Sequence, residues 1–349
     1  MIISRYHNTE PLDIGVEFLT PCFLGGADQN AELRAAPFKN LLRQWWRVAV
    51  GSQYPNHEKM LEVEGDLFGS VLDDSKASAS KVRVALTPGD QFNVEQSGLN
   101  FGQTRHSEVG PKGMNISNAL YLGYGPVSIR GIKTYIAPGS KVKLTLTFPK
   151  DNTPELLLVL AYIDAFGTIG SRCRNGWGSI ALFGKGFQRQ AVTLFPSQQF
   201  AQLVSGDTAK AYPTHLGKDN KGLLCWELKE PPQDWKDAMQ ALAGIYMNLR
   251  TNIKIAPQGL QKRHILGYPV THHNINNWGG GNGRMPSQLR LMVKRDTNNK
   301  LTGRILHLPH KLPKQWESQR LGQEVTVWQQ DIHKWLDTKT ELRRCGGAL

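Results

Sequence analysis

The 349-residue sequence predicts an α+β protein that runs twice through the order β-α-β-β-α-β and carries long loop insertions. Three observations predict it. Strict apolar-polar alternation marks strands, as over 141–148, where Val142, Leu144, Leu146 and Phe148 share one face. Apolar spacing near 3.6 marks helices, as in PFKNLLRQWWRVAVG, where Phe38, Leu42, Trp45 and Ala49 fall on one side. The length, at roughly 100–200 residues per domain, suggests two domains or one large one, and the repeated order favours two, expected at 1–190 and 191–349. The repeated order is the ferredoxin-like, RRM-like plan.

Each element follows from local chemistry. Residues 13–20 read as a strand ended by Pro21, and a helix opens near Pro37, where proline suits the first turn. Strands are expected at 81–86 and 141–148. Thr153 is the expected N-cap of a helix, with Pro154 in its first position, running to Gly167. A short buried strand follows at 179–183. The second half repeats the plan more loosely: a strand at 223–228, a helix at 233–249, strands at 289–293 and 304–308, and a helix at 324–336. A final strand is expected to be missing, because only about a dozen mostly polar residues remain. Long irregular insertions fall at 87–127 and 251–287, and large loops inside compact domains are commonly functional.

Charge points to the partner. Lys and Arg number 42 against 29 Asp and Glu, a net charge of +13. Between Arg250 and Lys314 there are twelve basic residues and one acid, Asp296. Such asymmetry suits a polyanion, and the Gly-, Asn- and Pro-rich context favours nucleic acid over a membrane surface, which needs a basic amphipathic helix. A solvated basic surface is the alternative. The four cysteines (Cys22, Cys173, Cys225, Cys345) show no paired spacing, so neither a disulfide framework nor a zinc site is expected, and a reducing cytoplasm fits. No secretory signal is visible, and the longest apolar run, 156–163, is too short to cross a bilayer.

Three segments carry candidate chemistry. The loop GTIGSRCRNGWG (167–178) combines four glycines with Arg172, Arg174 and Asn175, so that successive N–H groups and two guanidinium forks can converge on phosphate. Gly170 and Gly176 would let backbone approach the ligand, and Trp177 either stacks or packs. The alternative is a tight helix-to-strand connection. On the helix, Lys39, Arg43 and Arg47 form a stripe of one sign with Trp46 beside it, which repels itself unless an anion lies along it. A solvated face serves equally well as an explanation. In the basic insertion, Lys262, Arg263, His264, His272, His273, Asn274, Trp278 and Arg284 interleave cations, amides and one aromatic, a mixture suited to single-stranded RNA. The alternative there is a plain surface loop.

Catalysis has little to stand on. Neither G-x-S-x-G nor H-E-x-x-H occurs, and no carboxylate cluster suits two magnesium ions. His264, His272 and His273 are the positions for a metal-free ribonuclease acting on a 2′-hydroxyl. Neither a metal nor a cofactor is expected.

In this order, LTPCFLGGA, LLRQWWRV, EGDLFGS, GTIGSRCRNGWGS and RMPSQLRLMVKRD…GRILHLP resemble the RAMP proteins, in particular those of type III-B (Cmr) CRISPR effector complexes. The resemblance implies two ferredoxin-like RNA-binding domains and no nuclease activity. It also implies a single-copy cap near the 3′ end of the guide RNA, contacting guide RNA, target RNA and neighbouring RAMP subunits, and no membrane. It carries Lys39, Arg43 and Arg47, with Arg172, Arg174, Asn175 and Gly176, as RNA-facing residues, and transfers no catalytic residue. Related RAMP proteins process guide RNA, which leaves an endoribonuclease, or a purely structural cap, as the alternatives.

Overall fold

The computed structural model describes residues 8–70, 77–185, 187–205, 212–256, 259–270, 273, 275, 283–313, 316 and 324–346. The chain divides into two compact units. The first holds Met1–Ser97, Ile132–Ser171 and Trp177–Gln190; the second holds Gly98–Gly131, Arg172–Gly176 and Ala191–Leu349. The expected cut at 190/191 is one edge of this division, but two earlier segments, 98–131 and 172–176, group with the later half.

In the first unit the order is β1 (Thr9–Phe18), α1 (Ala35–Val50), α2 (His57–Phe68), β2 (Arg83–Pro88), β3 (Lys141–Pro149), α3 (Thr153–Phe166) and β4 (Ile180–Phe183). The sheet runs β4-β1-β3-β2, antiparallel throughout, as the ferredoxin-like plan requires. Pairing of Ile14 with Leu144 and Val16 with Val142 turns the alternating apolar sets to one face. There Val16, Leu144, Ile180 and Leu182 meet Phe38, Leu42, Leu160 and Ile163 of α1 and α3. Trp45 stacks on Phe166 at 5.7 Å between ring centroids. The buried acid of α3, Asp164, accepts from Leu182 N at 2.7 Å and Arg189 Nε at 2.8 Å.

Two sequence expectations are corrected here. Asn152, not Thr153, is the N-cap of α3; Thr153 is already helical, and its hydroxyl donates to Glu10 at 2.7 Å. Helix α2 is not foreseen by the sequence reading, although Asn56 caps it by accepting from Lys59 N at 2.9 Å.

In the second unit the order is β5 (Cys225–Leu228), α4 (Trp235–Asn252), β6 (Leu289–Arg295), β7 (Leu301–His307), α5 (324–337, with a π-helical stretch at Val327–His333) and β8 (Leu342–Arg344). Its sheet, β6-β7-β5-β8, has the same strand order as the first. The final strand is therefore present, against expectation. Its three residues pair antiparallel with β5, Leu342 is buried, and Arg344 donates to Asp337 at 2.7 Å and Asp219 at 2.8 Å. A polar strand reads as strand only once its partners are known. Asp234 caps α4 through Lys236 N and Asp237 N. The segment 98–131 contributes a hairpin, Gln103–His106 with Met114–Ser117, and a short helix, Asn118–Gly123. Among the described residues no helix is long and apolar enough to cross a membrane.

Candidate nucleic-acid interface

The glycine-rich loop is built from backbone constraints. Gly170 takes φ +93°, and a Cβ there would lie 2.7 Å from the carbonyl oxygen of Phe23, which also accepts from Ser171 N at 2.8 Å. Its glycine thus serves close packing within the first unit. Trp177 is fully buried, edge-on to Phe23 at 5.1 Å, so it packs and does not stack on a ligand.

The residues 172–176 belong to the second unit. Arg172 is exposed and holds φ +57°, one of three non-glycine residues with positive φ among those described. Its carbonyl accepts from Asn175 N at 2.9 Å, while Asn175 Nδ2 donates to Leu122 O at 2.8 Å, so the amide of Asn175 is committed to the loop. Gly176, at φ +91°, lies beneath α4, where a Cβ would meet Met239 Sδ at 2.5 Å. The carbonyl of Arg174 accepts from Leu291 N at 2.8 Å, which sets the loop alongside β6. Burial lowers the pKa of the Arg174 guanidinium. Burial and then Arg174 push that of Arg290 down to about 10, and His310 is lowered by burial with both arginines among the further causes. Arg172 and Arg174 form no ion pair with a carboxylate among the described residues. Two guanidiniums, those of Arg174 and Arg290, therefore lie within electrostatic reach of each other, with His310 held toward its neutral form beside them. Arg290 and His310 are not among the sequence-derived candidates. Arg290 sits in the strand-like run QLRLMVKR, where an arginine flanked by leucines is the only available signal.

The basic stripe of α1 already has its anion. Glu64 of α2, fully buried, accepts from Arg43 Nε at 2.6 Å, from Arg47 Nε at 2.7 Å and from Arg47 Nη2 at 2.8 Å. Lys39 is half-buried, and burial, with Arg43 as second cause, lowers its pKa. Trp46 is corrected: its ring is fully buried between Tyr54, at 5.6 Å, and Phe68, at 6.2 Å, and cannot face RNA.

The basic insertion is also largely turned inward. Arg263 is buried, pairs with Glu108 through both guanidinium nitrogens and donates to Ile253 O, so its expected RNA-facing role is corrected to a structural one. His264 is corrected likewise: it is fully buried, its Nδ1 accepts from Gln261 N at 2.9 Å, and burial pushes its pKa down to about 4. Lys262 is exposed and pairs with Asp331 at 3.0 Å; Arg284 is exposed and donates to Gly283 O at 3.3 Å. His273 sits with Nδ1 3.0 Å from Ala256 O. His272, Asn274 and Trp278 lie outside the described residues. Among the described residues no group of three or more His, Cys, Asp or Glu is placed to hold a metal.

Residues 16–181, which contain β2 and β3 whole but only the end of β1 and the start of β4, match the RAMP superfamily model. That stretch is similar to the RAMP superfamily. Over 63 residues it is 36% identical to the CRISPR system Cmr subunit Cmr1-2 of Pyrococcus furiosus, an alignment covering 18% of this chain and 34% of that protein. The match thus spans about a third of that relative's length. In structure the chain is similar to Cmr1 of Pyrococcus furiosus in its apo form, with a TM-score of 0.53 at 18% identity over 87% of this chain and 89% of that one. A chain of a type III-B Cmr-beta complex bound to cognate target RNA aligns with a TM-score of 0.47 at 12% identity over 91% and 100%.

The segments that carry the resemblance now have physical meanings. LRQWWRV supplies Arg43 and Arg47, EGDLFGS supplies their anion Glu64, and Trp46 and Phe68 from the same two segments pack edge to face. The glycine-rich segment closes on Phe23 of LTPCFLGGA. Four of the motifs that carry the resemblance are therefore joined in two pairs by direct contacts.

Proposed function

We propose that this chain is a non-catalytic RNA-binding subunit of a type III-B CRISPR effector complex. It works in the cytoplasm, caps the end of the assembly near the 3′ end of the guide RNA, contacts neighbouring RAMP subunits and helps to capture target RNA in antiviral defence. The observation that carries this reading is the glycine-rich loop itself, where exposed Arg172 and half-buried Arg174 form no ion pair with a described carboxylate. A phosphodiester placed against this loop accepts charge-assisted hydrogen bonds from the Arg172 and Arg174 guanidiniums. The match of residues 16–181 to the RAMP superfamily model, the likeness to Cmr1-2 and the +13 charge support the same reading. The burial of His264, whose Nδ1 already accepts from Gln261 N, supports a chain without a general base at that position.

The test is a titration of labelled single-stranded RNA with the purified chain at several salt concentrations, with the RNA ends mapped afterwards. Binding with a slope near −0.7 in log K against log salt per phosphate contacted, and intact ends, is expected. No binding at low salt supports a structural cap instead; specific cleavage supports a guide-processing endoribonuclease.

A further inference from the structure

Cys225 opens β5 and Cys345 follows β8. The register of these strands sets Trp226 opposite Arg344, so the two cysteines are the next opposed pair, and Cys345 N donates to Cys225 O at 2.8 Å. Their Sγ atoms are 2.7 Å apart, although 120 positions separate them in sequence. Both side chains are buried, and both residues are free thiols. Opposed residues on antiparallel strands keep Cα atoms about 4.5–5.5 Å apart, which lies inside the range that disulfides span. Sequence spacing gave no hint of this, because the pairing arises only when the last strand closes the second sheet.

The surroundings are polar on one side. Glu227 Oε2 lies 3.9 Å from Cys345 Sγ, and the same carboxylate pairs with Arg304 at 3.3 Å and Arg343 at 3.0 Å. Glu227 is thus a hydrogen-bond acceptor for the thiol, and Arg304 a cation near any thiolate formed. Against this, burial and the neighbouring Cys225 hold the Cys345 thiol well above its ordinary pKa, so the closed pair is unreactive. Reaction then passes through brief opening of β8, which is only three residues long.

We propose that Cys225 and Cys345 form a covalent modification site, at which an oxidant of the peroxide class joins them in a disulfide that ties β8 to β5. The chemistry balances with one hydrogen peroxide. A Cys345 thiolate, its proton released, attacks one peroxide oxygen; the O–O bond breaks, an S–O bond forms, and hydroxide leaves with that proton as water. Cys225, deprotonated in turn, attacks the resulting sulfenic acid; the S–S bond forms, the S–O bond breaks, and a second water leaves. Two thiols are oxidised and one peroxide is reduced to two waters. The product crosslinks the ends of a long chain segment, which restricts the unfolded state and fixes an otherwise short edge strand.

Cys22 and Cys173 provide internal controls. Cys22 Sγ donates to Ile169 O in the first unit, and Cys173 is half-buried in the glycine-rich loop.

The experiment treats the full chain with hydrogen peroxide, quenches it, alkylates the denatured protein and maps peptides without reduction. A crosslink between the Cys225 and Cys345 peptides is expected, with the mass of two hydrogens lost and Cys22 and Cys173 still alkylated. The melting midpoint should rise by roughly 5–10 °C and return on reduction with dithiothreitol. Cys345→Ser should abolish both the crosslink and the rise; where that variant fails to fold, the peptide map of the unaltered chain decides. Full alkylation of Cys225 and Cys345 after peroxide, sulfinic acid in place of a crosslink, or a crosslink only between chains overturns the proposal.

Discussion

The buried carboxylate of Glu64 receives Arg47 at two points, Nε at 2.7 Å and Nη2 at 2.8 Å, and Arg43 shares the same group. One anion therefore holds two cations that are themselves about a third exposed. Glu64→Gln removes the charge but keeps the volume, leaving two partly buried guanidiniums without compensation. The expected cost is about 2–4 kcal/mol, reduced from a fully buried case by the exposure of the arginines. Urea unfolding measures it. The same variant tests whether α1 meets RNA: with Glu64 neutral, a stripe that faces phosphate should steepen the salt slope, and an unchanged slope makes the stripe a clamp between α1 and α2.

For the glycine-rich loop, Arg172→Ala with Arg174→Ala should flatten the salt slope on single-stranded RNA by about 1.4, at 0.7 per lost phosphate contact. The fold should survive, since neither side chain pairs with a described carboxylate. Lys229→Ala with Lys300→Ala removes equal charge at exposed positions and should change affinity much less, because screening over about 8 Å weakens remote charges. Equal losses from both pairs mean that net charge alone does the binding.

Much of the fold was legible because periodicity survives in the sequence wherever one face is buried. Val142, Leu144 and Leu146 announce β3, and Met239, Leu242 and Tyr246 announce α4. The unreadable parts share a cause, which is that their stability comes from partners distant in sequence. Arg344 in β8 is polar by itself and becomes a strand residue through Asp337, Asp219 and Trp226. The candidate site shows the same limit. Arg43 and Arg47 read as a bare basic stripe until Glu64, seventeen positions beyond Arg47, is brought between them. Arg263 reads as one more loop cation until Glu108 is found on it, 155 positions away. Arg172 was visible because loop glycines leave an arginine few places to go but outward.

A pair of histidines makes stability depend on acid. His307 Nδ1 and His333 Nε2 are 2.8 Å apart, buried, with His307 stacked on Trp328 at 3.8 Å and its Nε2 3.0 Å from Gln288 Oε1. Burial, then His333 and His310, hold His307 well below its ordinary pKa; burial, then Arg344, pushes His333 down to about 3, with Asp337 opposing. Both groups are neutral in the fold and take up protons near pH 6.5 once unfolded. Their contribution is therefore complete above pH 6.5 and is lost as pH falls from there toward about 3. The loss should approach 2.7 kcal/mol per pH unit below pH 5 if both stay neutral. Melting midpoints between pH 4.5 and 8 should fall on the acid side, and His307→Gln should fall less steeply. A pH-independent midpoint contradicts the buried, neutral pair.

Gly176 tests how the loop is held in place. Its φ of +91° disfavours any Cβ, and Met239 Sδ stands 2.5 Å from where that atom would go. Gly176→Ala therefore combines two costs, about 1 kcal/mol for the left-handed backbone and about 1–3 kcal/mol for displacing the thioether. Gly222 separates them: its φ is +114° with nothing within 4 Å of the added atom, so Gly222→Ala should show the backbone cost alone. Adding Met239→Ala to Gly176→Ala opens the space and should recover part of the packing cost, a coupling that a double-mutant cycle in urea reads directly. Arg174 lies two residues before Gly176 and is anchored through its carbonyl to Leu291 N, so a shift at Gly176 moves the guanidinium relative to β6. RNA affinity should accordingly fall in Gly176→Ala, well below its unfolding midpoint, and stay unchanged in Gly222→Ala. If both variants bind RNA as the unaltered chain does, the position of Arg174 against β6 is not what the RNA reads.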